Sequence, residues 1–329
     1  MATLGATGLP VSRMGLGLAA LGRPGYITVG HADDLGGALD PKAMEARAHH
    51  VLDAAYAAGI RYFDAARSYG RAEEFLASWL ADRMIAPSDV TVGSKWGYTY
   101  TAGWRVDAPI HEVKDHTRAV LLRQLAESRS TLGAHLDLYQ IHSATLESGV
   151  LDDAGVIDAL ASERERGLRI GVSVSGPRQA ETIWRALEVR RDGERVFDAV
   201  QATWNLLERS AGPALVAAHV EGVGVIIKEA VANGRLTTRG LGTLDASREK
   251  LIGAAASTLD ASVDAVAIAW VLAQPWVDVV LSGATTVEQL ESNLSAQRLV
   301  VSSEVSAQFD SVVMEPTEYW RERSALPWN

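Results

Sequence analysis

An α/β chain closed into a (β/α)8 TIM barrel is the fold this sequence predicts, on three observations. Eight short apolar runs recur along 329 residues, most followed by a polar loop and a stretch with helical spacing. The runs are short, β-branched and apolar on both faces, as strands covered on both sides must be. No G-x-G-x-x-G opens a helix after any run, which counts against the competing architecture, a doubly wound open sheet. A barrel takes about 250 residues, so this chain has room for insertions.

Taken in order, TLGATGLPVSRMG (3–15) sets turn residues between short runs and is expected to form an N-terminal β-hairpin under the barrel floor. Strands are expected at 14–19, 60–65, 90–95, 136–142, 168–175, 197–203, 222–228 and 277–283. Residues 42–59 and 111–133 have helical spacing and end on Gly59 and Gly133, as helices commonly do. Three segments exceed what a barrel needs: 20–41, 96–110 and a C-terminal tail, 304–329, expected over the barrel mouth. Loops after strands build the working face of such a barrel. No linker or low-complexity stretch divides the chain, so residues 1–329 read as a single domain.

Composition narrows the function. The chain has 31 Lys and Arg against 41 Asp and Glu, a net charge of −10, which argues against nucleic acid as a partner. The basic clusters at 164–169 and 190–195 are interspersed with acids and read as solvated helix ends. Without cysteine there are no disulfides, thiolate nucleophiles or Cys-based metal sites. His31, Asp33 and Asp34 in GHADD have ligand chemistry but no further His or Cys at ligand spacing, so a solvated or substrate-facing loop is expected and no metal. The longest apolar run, 265–273, is too short to cross a bilayer, and the N-terminus lacks a signal peptide's basic-then-apolar order. A soluble cytoplasmic protein with no membrane partner is the expectation; oligomeric state is not legible.

In a barrel, the chemistry sits at the C-terminal ends of the strands. Those ends carry Asp64 with nearby Tyr69, Lys95, His142, Ser173 and Ser175, Gln201, Lys228, and Ser282-Gly283. One polar strand end means little, but ionisable groups at three successive ends form a set. A Tyr hydroxyl, with an ordinary pKa near 10, is a poor acid at neutral pH. An adjacent ammonium is expected to lower it, and a carboxylate to hold that ammonium charged and aimed. A neighbouring His would hydrogen-bond the substrate carbonyl or relay a proton. Such a set protonates a developing alkoxide, so a hydride must come from elsewhere, which implies a nicotinamide cofactor.

These residues lie in segments that resemble the aldo-keto reductases: GIRYFDAARSYG (59–70), VTVGSKWG (90–97), LDLYQIH (136–142), VQATWNLLE (200–208), GVGVIIKEAVANGRLT (222–237) and SGATTVEQLESNL (282–294). The resemblance runs from about residue 4 to residue 298 and implies a (β/α)8 barrel that reduces an aldehyde or ketone to an alcohol, or the reverse. It implies a catalytic tetrad of Asp64, Tyr69, Lys95 and His142, with Tyr69 as general acid. For the cofactor it implies Gly17, Ser173 and Gln201 near the nicotinamide, and Glu229, Val231, Asn233 and Gly234 in a pyrophosphate loop. Val174 replaces an Asn that often follows the Ser, and Lys228 stands where many members stack an aromatic ring. At the far end fall Gly283, Thr285, Thr286, Gln289 and Asn293. Family habit implies NADP, with NAD the alternative, since Gly283 and Gln289 are uncharged where NADP-selective members place cations and Arg298 is the nearest substitute. The aromatic residues Tyr26, Trp96, Tyr98, Trp104 and Trp204 are expected to line the substrate pocket, with Tyr100, Trp320 and Trp328 nearby.

Two other classes of function remain from the same residues. One is a nicotinamide-nucleotide sensor that binds without turnover. The other is a Schiff-base lyase using Lys95 or Lys228, which leaves Tyr69 unexplained.

Overall fold

A computed structural model describes residues 1–329. Eight parallel strands close into a barrel: β1 (Met14–Gly17), β2 (Tyr62–Asp64), β3 (Thr91–Trp96), β4 (Leu136–Ala144), β5 (Arg169–Val174), β6 (Ala199–Thr203), β7 (Gly224–Lys228) and β8 (Val279–Ser282). Order round the barrel is order in the chain, and β8 closes on β1 through Val280 and Met14. Each falls within or about the run expected of it.

Helices pack outside the strands. The first long one, Pro41–Ala57, starts where Asp40 accepts the Ala43 amide at 3.0 Å and Pro41 takes the first helical position. The helix expected over 111–133 begins only at Arg118, because Thr117 caps it. Residues Glu112–Lys114 instead pair antiparallel with Tyr98–Tyr100, which ties down the insertion after β3. The apolar run at 265–273 lies largely in the helix Val263–Leu272, a helix almost wholly buried in the core. No single helix is long and apolar enough to cross a membrane.

Both ends of the barrel are closed by the chain's own termini. At the floor, Ala2–Thr3 pairs with Pro10–Val11, and Leu4 and Val11 join Tyr62, Leu138, Ala199, Ile226 and Val279 in a separate apolar cluster. A Cβ on Gly224 would stand 2.5 Å from the Leu4 side chain, so glycine there is what lets the plug seat. At the mouth, the tail forms a helix, Pro316–Ser324, and its last residue pairs with the first insertion. The Tyr26 and Asn329 backbones exchange two hydrogen bonds of 3.1 and 3.2 Å, and the Asn329 side chain reaches Ala32 and Thr28.

If Leu4 is the floor plug, Leu4→Ala leaves a cavity that the closed barrel cannot collapse. The expected loss of unfolding free energy in urea titration is about 2–4 kcal/mol. A loss under about 1 kcal/mol would mean the hairpin is only draped on the floor.

Candidate active site

Parallel strands end in step, and their last inward residues meet at the mouth. Asp64 closes β2, Lys95 and His142 lie in β3 and β4, and Gln201 and Lys228 lie in β6 and β7. Tyr69 follows β2 in a turn whose amide bonds Ala66 O at 3.1 Å. Asp64, Tyr69, His142, Gln201 and Lys228 line one recess of about 950 Å³, together with Gly17 and Tyr26. Lys95 is completely buried beside it.

The four tetrad positions touch. Lys95 Nζ forms a buried ion pair with Asp64 Oδ1, donates to Ala65 O at 3.0 Å, and lies 3.5 Å from the Tyr69 hydroxyl. That hydroxyl is 3.4 Å from His142 Nε2, whose Nδ1 lies 3.3 Å from Ser68 Oγ. The other Asp64 oxygen accepts from Tyr62 at 3.2 Å, Gln140 at 3.3 Å and Gln201 at 2.9 Å. Tyr69 is thus the member set between an ammonium and an imidazole at the open wall of the recess.

Electrostatics differ from the expectation at Tyr69. Burial, then the Asp64 carboxylate, push its phenol above its ordinary value, with Arg23 opposing. His142 is pushed well below the usual imidazole range by burial, then by Lys95, Lys228 and Arg23, so it is neutral at working pH. Burial lowers the Lys228 amine to about 8, against a pull upward from Glu229. It donates to Thr203 Oγ1 at 2.9 Å. Burial alone would raise the Glu229 carboxyl, but Arg323 and then Lys228 outweigh it and hold it well below the usual range.

The residues expected at a cofactor divide between two joined recesses. Gly17, Gln201, Lys228, Glu229, Val231, Asn233 and Gly283 line the inner one. Gly234, Thr285, Gln289 and Asn293 line an outer one that shares Thr28, Val231 and Gly283 with the first. Ser173 lies in register with Gln201 but is fully buried and lines neither recess; its Oγ is without a partner, as is Asn233 Oδ1. Glu229, Ala232, Asn233 and Gly234 all have positive φ, the kind of backbone that forms a concavity for anions. The unpartnered Asn233 Oδ1 beside such a concavity fits a nicotinamide dinucleotide. Thr286 is a correction: it caps the helix Val287–Ser295 by accepting the Gln289 amide, and it does not line either recess.

The aromatic pocket also needs correction. Of the five residues expected there, Tyr26 lines the recess, and Tyr98 packs on the His142 ring at 5.0 Å. Trp96 follows the inward Lys95 by one residue, so strand alternation turns it outward into the helix layer, against His116. Trp204 likewise stacks on Trp270, 4.4 Å between centroids. Trp104 donates its indole N–H to Leu39 O at 2.6 Å and meets Phe75 edge-on. Nor is His31 solvated; it is fully buried, with its imidazole pushed down to about 4 by burial.

Three charged residues in the recess were not singled out by sequence. Arg23 bonds Ser68 O and Glu112, and its guanidinium faces the rings of Tyr26, Tyr69 and Trp328 at 5.3, 5.2 and 4.8 Å. Arg323 comes from the tail and pairs with Glu229. The only signal was that Arg23 and Arg323 lie in the oversized segments 20–41 and 304–329, with Glu112 just past the third.

The family described as "Aldo/keto reductase family" has a model that matches residues 13–314. The uncharacterized oxidoreductase YqkF of Bacillus subtilis (strain 168) is 24% identical over 327 residues, covering 92% of this chain and 94% of that protein. L-glyceraldehyde 3-phosphate reductase of Escherichia coli (strain K12) is 26% identical over 298 residues, covering 80% of this chain and 83% of that protein. Among solved structures, aldo-keto reductase AKR11C1 from Bacillus halodurans, in its holo form, matches with a TM-score of 0.73 at 22% identity, covering 95% of this chain and 96% of that one. That likeness shows a shared fold.

The displaced Lys228 titration makes a stability prediction. In the unfolded chain the amine keeps its ordinary value of 10.5, whereas in the fold it is about 8. Below pH 8 both states are protonated and the cost of burying the charge is fully present. Between pH 8 and 10.5 the folded state sheds its proton first, so this group's contribution to stability rises with pH. Lys228→Met removes the dependence. Its stability relative to the parent, measured by urea denaturation, should fall by about 2–3 kcal/mol from pH 7 to pH 10.5. A flat difference would show that the amine is not desolvated.

Proposed function

The chain belongs to the aldo/keto reductase family, and from that premise we propose that it is a nicotinamide-dependent oxidoreductase that reduces a small carbonyl compound to an alcohol, or the reverse, with Tyr69 as the proton donor. The observation that carries this reading is the Tyr69 hydroxyl, held 3.5 Å from Lys95 Nζ and 3.4 Å from His142 Nε2 at the wall of the recess.

A nicotinamide dinucleotide, when bound, supplies the hydride. The chain's own residues manage the proton and the oxygen. Tyr69 rests as a neutral phenol, the form that has a proton to give. As it gives that proton to the substrate oxygen, the phenolate left behind faces the buried Lys95 ammonium, which is worth more in a dry site than in water. Asp64 pairs with that ammonium and holds it in place. His142, neutral and hydrogen-bonded at both nitrogens, orients the oxygen without adding a second positive charge. Gln201, Lys228, Glu229, Val231, Asn233 and Gly234 would hold the inner part of the dinucleotide, and Gly283, Thr285, Gln289 and Asn293 the outer part.

Lys228 supports a second reading. Its amine, lowered to about 8 inside the recess, meets the condition for Schiff-base chemistry, while Lys95 is tied to Asp64. Borohydride trapping of a carbonyl adduct on Lys228 would favour a lyase over a reductase.

The reductase reading is tested with Tyr69→Phe. Turnover against a broad panel of aldehydes and ketones should fall about 10²–10⁴-fold, while quenching of tryptophan fluorescence by NADH and NADPH keeps its midpoint. Equal loss of turnover and binding would assign Tyr69 a structural role. Cofactor binding by the parent with no turnover on any carbonyl would favour the sensor.

A further inference from the structure

The outer recess, about 970 Å³, carries an unusual charge balance. Its charged lining is three carboxylates, Asp34, Asp264 and Glu288, against one cation, Arg239. Asp34, from the first insertion, has a side chain only 8% exposed. Its Oδ2 accepts from Gln289 Nε2 at 2.7 Å and lies 3.3 Å from Thr285 Oγ1, whose proton goes to Gln289 Oε1 at 2.9 Å. Its Oδ1 takes Arg239 at 3.0 Å, and the same guanidinium also donates to Gly30 O at 2.8 Å. Asp34 therefore occupies the recess's cation and a side-chain amide together. What the wall still offers a ligand is hydroxyl groups and a net negative charge.

This arrangement bears on the dinucleotide reading above, on which the inference rests. With the nicotinamide beside Tyr69 and the phosphates along 229–234, the adenosine ribose falls in the outer recess, past Gly283. A phosphate ester on that ribose is a dianion that needs cations and N–H donors. A free ribose diol needs acceptors. We propose that Asp34 makes this chain select the dinucleotide without the 2′-phosphate, NAD(H) over NADP(H), reversing the preference that family habit implies. Asp34 acts in two ways: its carboxylate repels the dianion, and it withholds Arg239 and the Gln289 amide from it.

The test is a fluorescence titration of the full chain with NADH and with NADPH, for the parent, Asp34→Asn and Arg239→Gln. The parent is expected to bind NADH at least about tenfold more tightly than NADPH. Asp34→Asn should close that gap, about tenfold, mainly by tightening NADPH. Arg239→Gln, which removes a half-exposed side chain, should widen it. A parent that binds NADPH as tightly as NADH, or an Asp34→Asn ratio equal to the parent's, overturns the proposal. So does a narrowed gap in Arg239→Gln, even where Asp34→Asn fails to fold. Binding of neither dinucleotide by the parent overturns both this proposal and the reductase reading beneath it.

Discussion

The buried ion pair between Lys95 and Asp64 is the constraint around which the barrel interior is arranged. Removing two charges from water costs several kcal/mol per ion, and attraction repays it only when the remaining lone pairs and protons are satisfied. Hence the polar residues of neighbouring strands. Tyr62, Gln140 and Gln201, from β2, β4 and β6, all donate to one Asp64 oxygen, and Ala65 O takes a further Lys95 proton. Even Gly93 belongs to this arrangement, since a Cβ there would stand 2.5 Å from the Tyr62 hydroxyl. Leaving either charge without its partner costs about 3–5 kcal/mol, more than half the stability of a marginal domain. A site that needs a cation fixed under Tyr69 therefore dictates side chains on strands that never touch a substrate.

A second set of pairs closes the mouth. Arg23 with Glu112 and Arg323 with Glu229 join the first insertion, the segment after β3, the β7 loop and the tail. Arg23 is only 2% exposed although it comes from a loop, because three aromatic rings and the Ser68 carbonyl enclose it. The same rings include Tyr69. The tail and the insertion thus fix the surroundings of Tyr69, and the backbone exchange between Tyr26 and Asn329 holds the two together. Ordering so long a loop costs conformational entropy. Here buried pairs that share partners offset it, where isolated surface pairs would contribute little.

How much of this was legible follows from the range of each interaction. The strands were, because a doubly covered strand must be apolar on both faces, which leaves a local trace. The polar strand ends Asp64, Lys95, His142, Gln201 and Lys228 were, because a polar residue ending an apolar run stands out. The start of the helix at Arg118 was missed because HEVKDH has helical spacing by chance, while the pairing of Glu112–Lys114 with Tyr98–Tyr100 depends on a partner strand. Trp96 and Trp204 were misplaced by reading aromatic content without strand parity, since each sits one residue past an inward side chain. Asp34 and Arg239 are 205 residues apart, and neither has a local mark of the other. Long-range charge pairing leaves no periodicity to read.

The two recesses together give the groove a polarity. In the inner one, Lys95 is matched by Asp64, Arg23 by Glu112 and Arg323 by Glu229, which leaves Lys228 as the cation without a dedicated carboxylate, 3.9 Å from an already paired Glu229. In the outer one, three carboxylates face a single guanidinium. Charge therefore runs from slightly positive beside Tyr69 to negative beyond Gly283. A ligand with a neutral, hydroxyl-rich end and anionic charge nearer its reactive end satisfies that gradient in one direction only. In a groove walled by low-dielectric protein, such a gradient is screened far less than on an open surface. The side chains that set the negative end of this gradient are well separated from Tyr69.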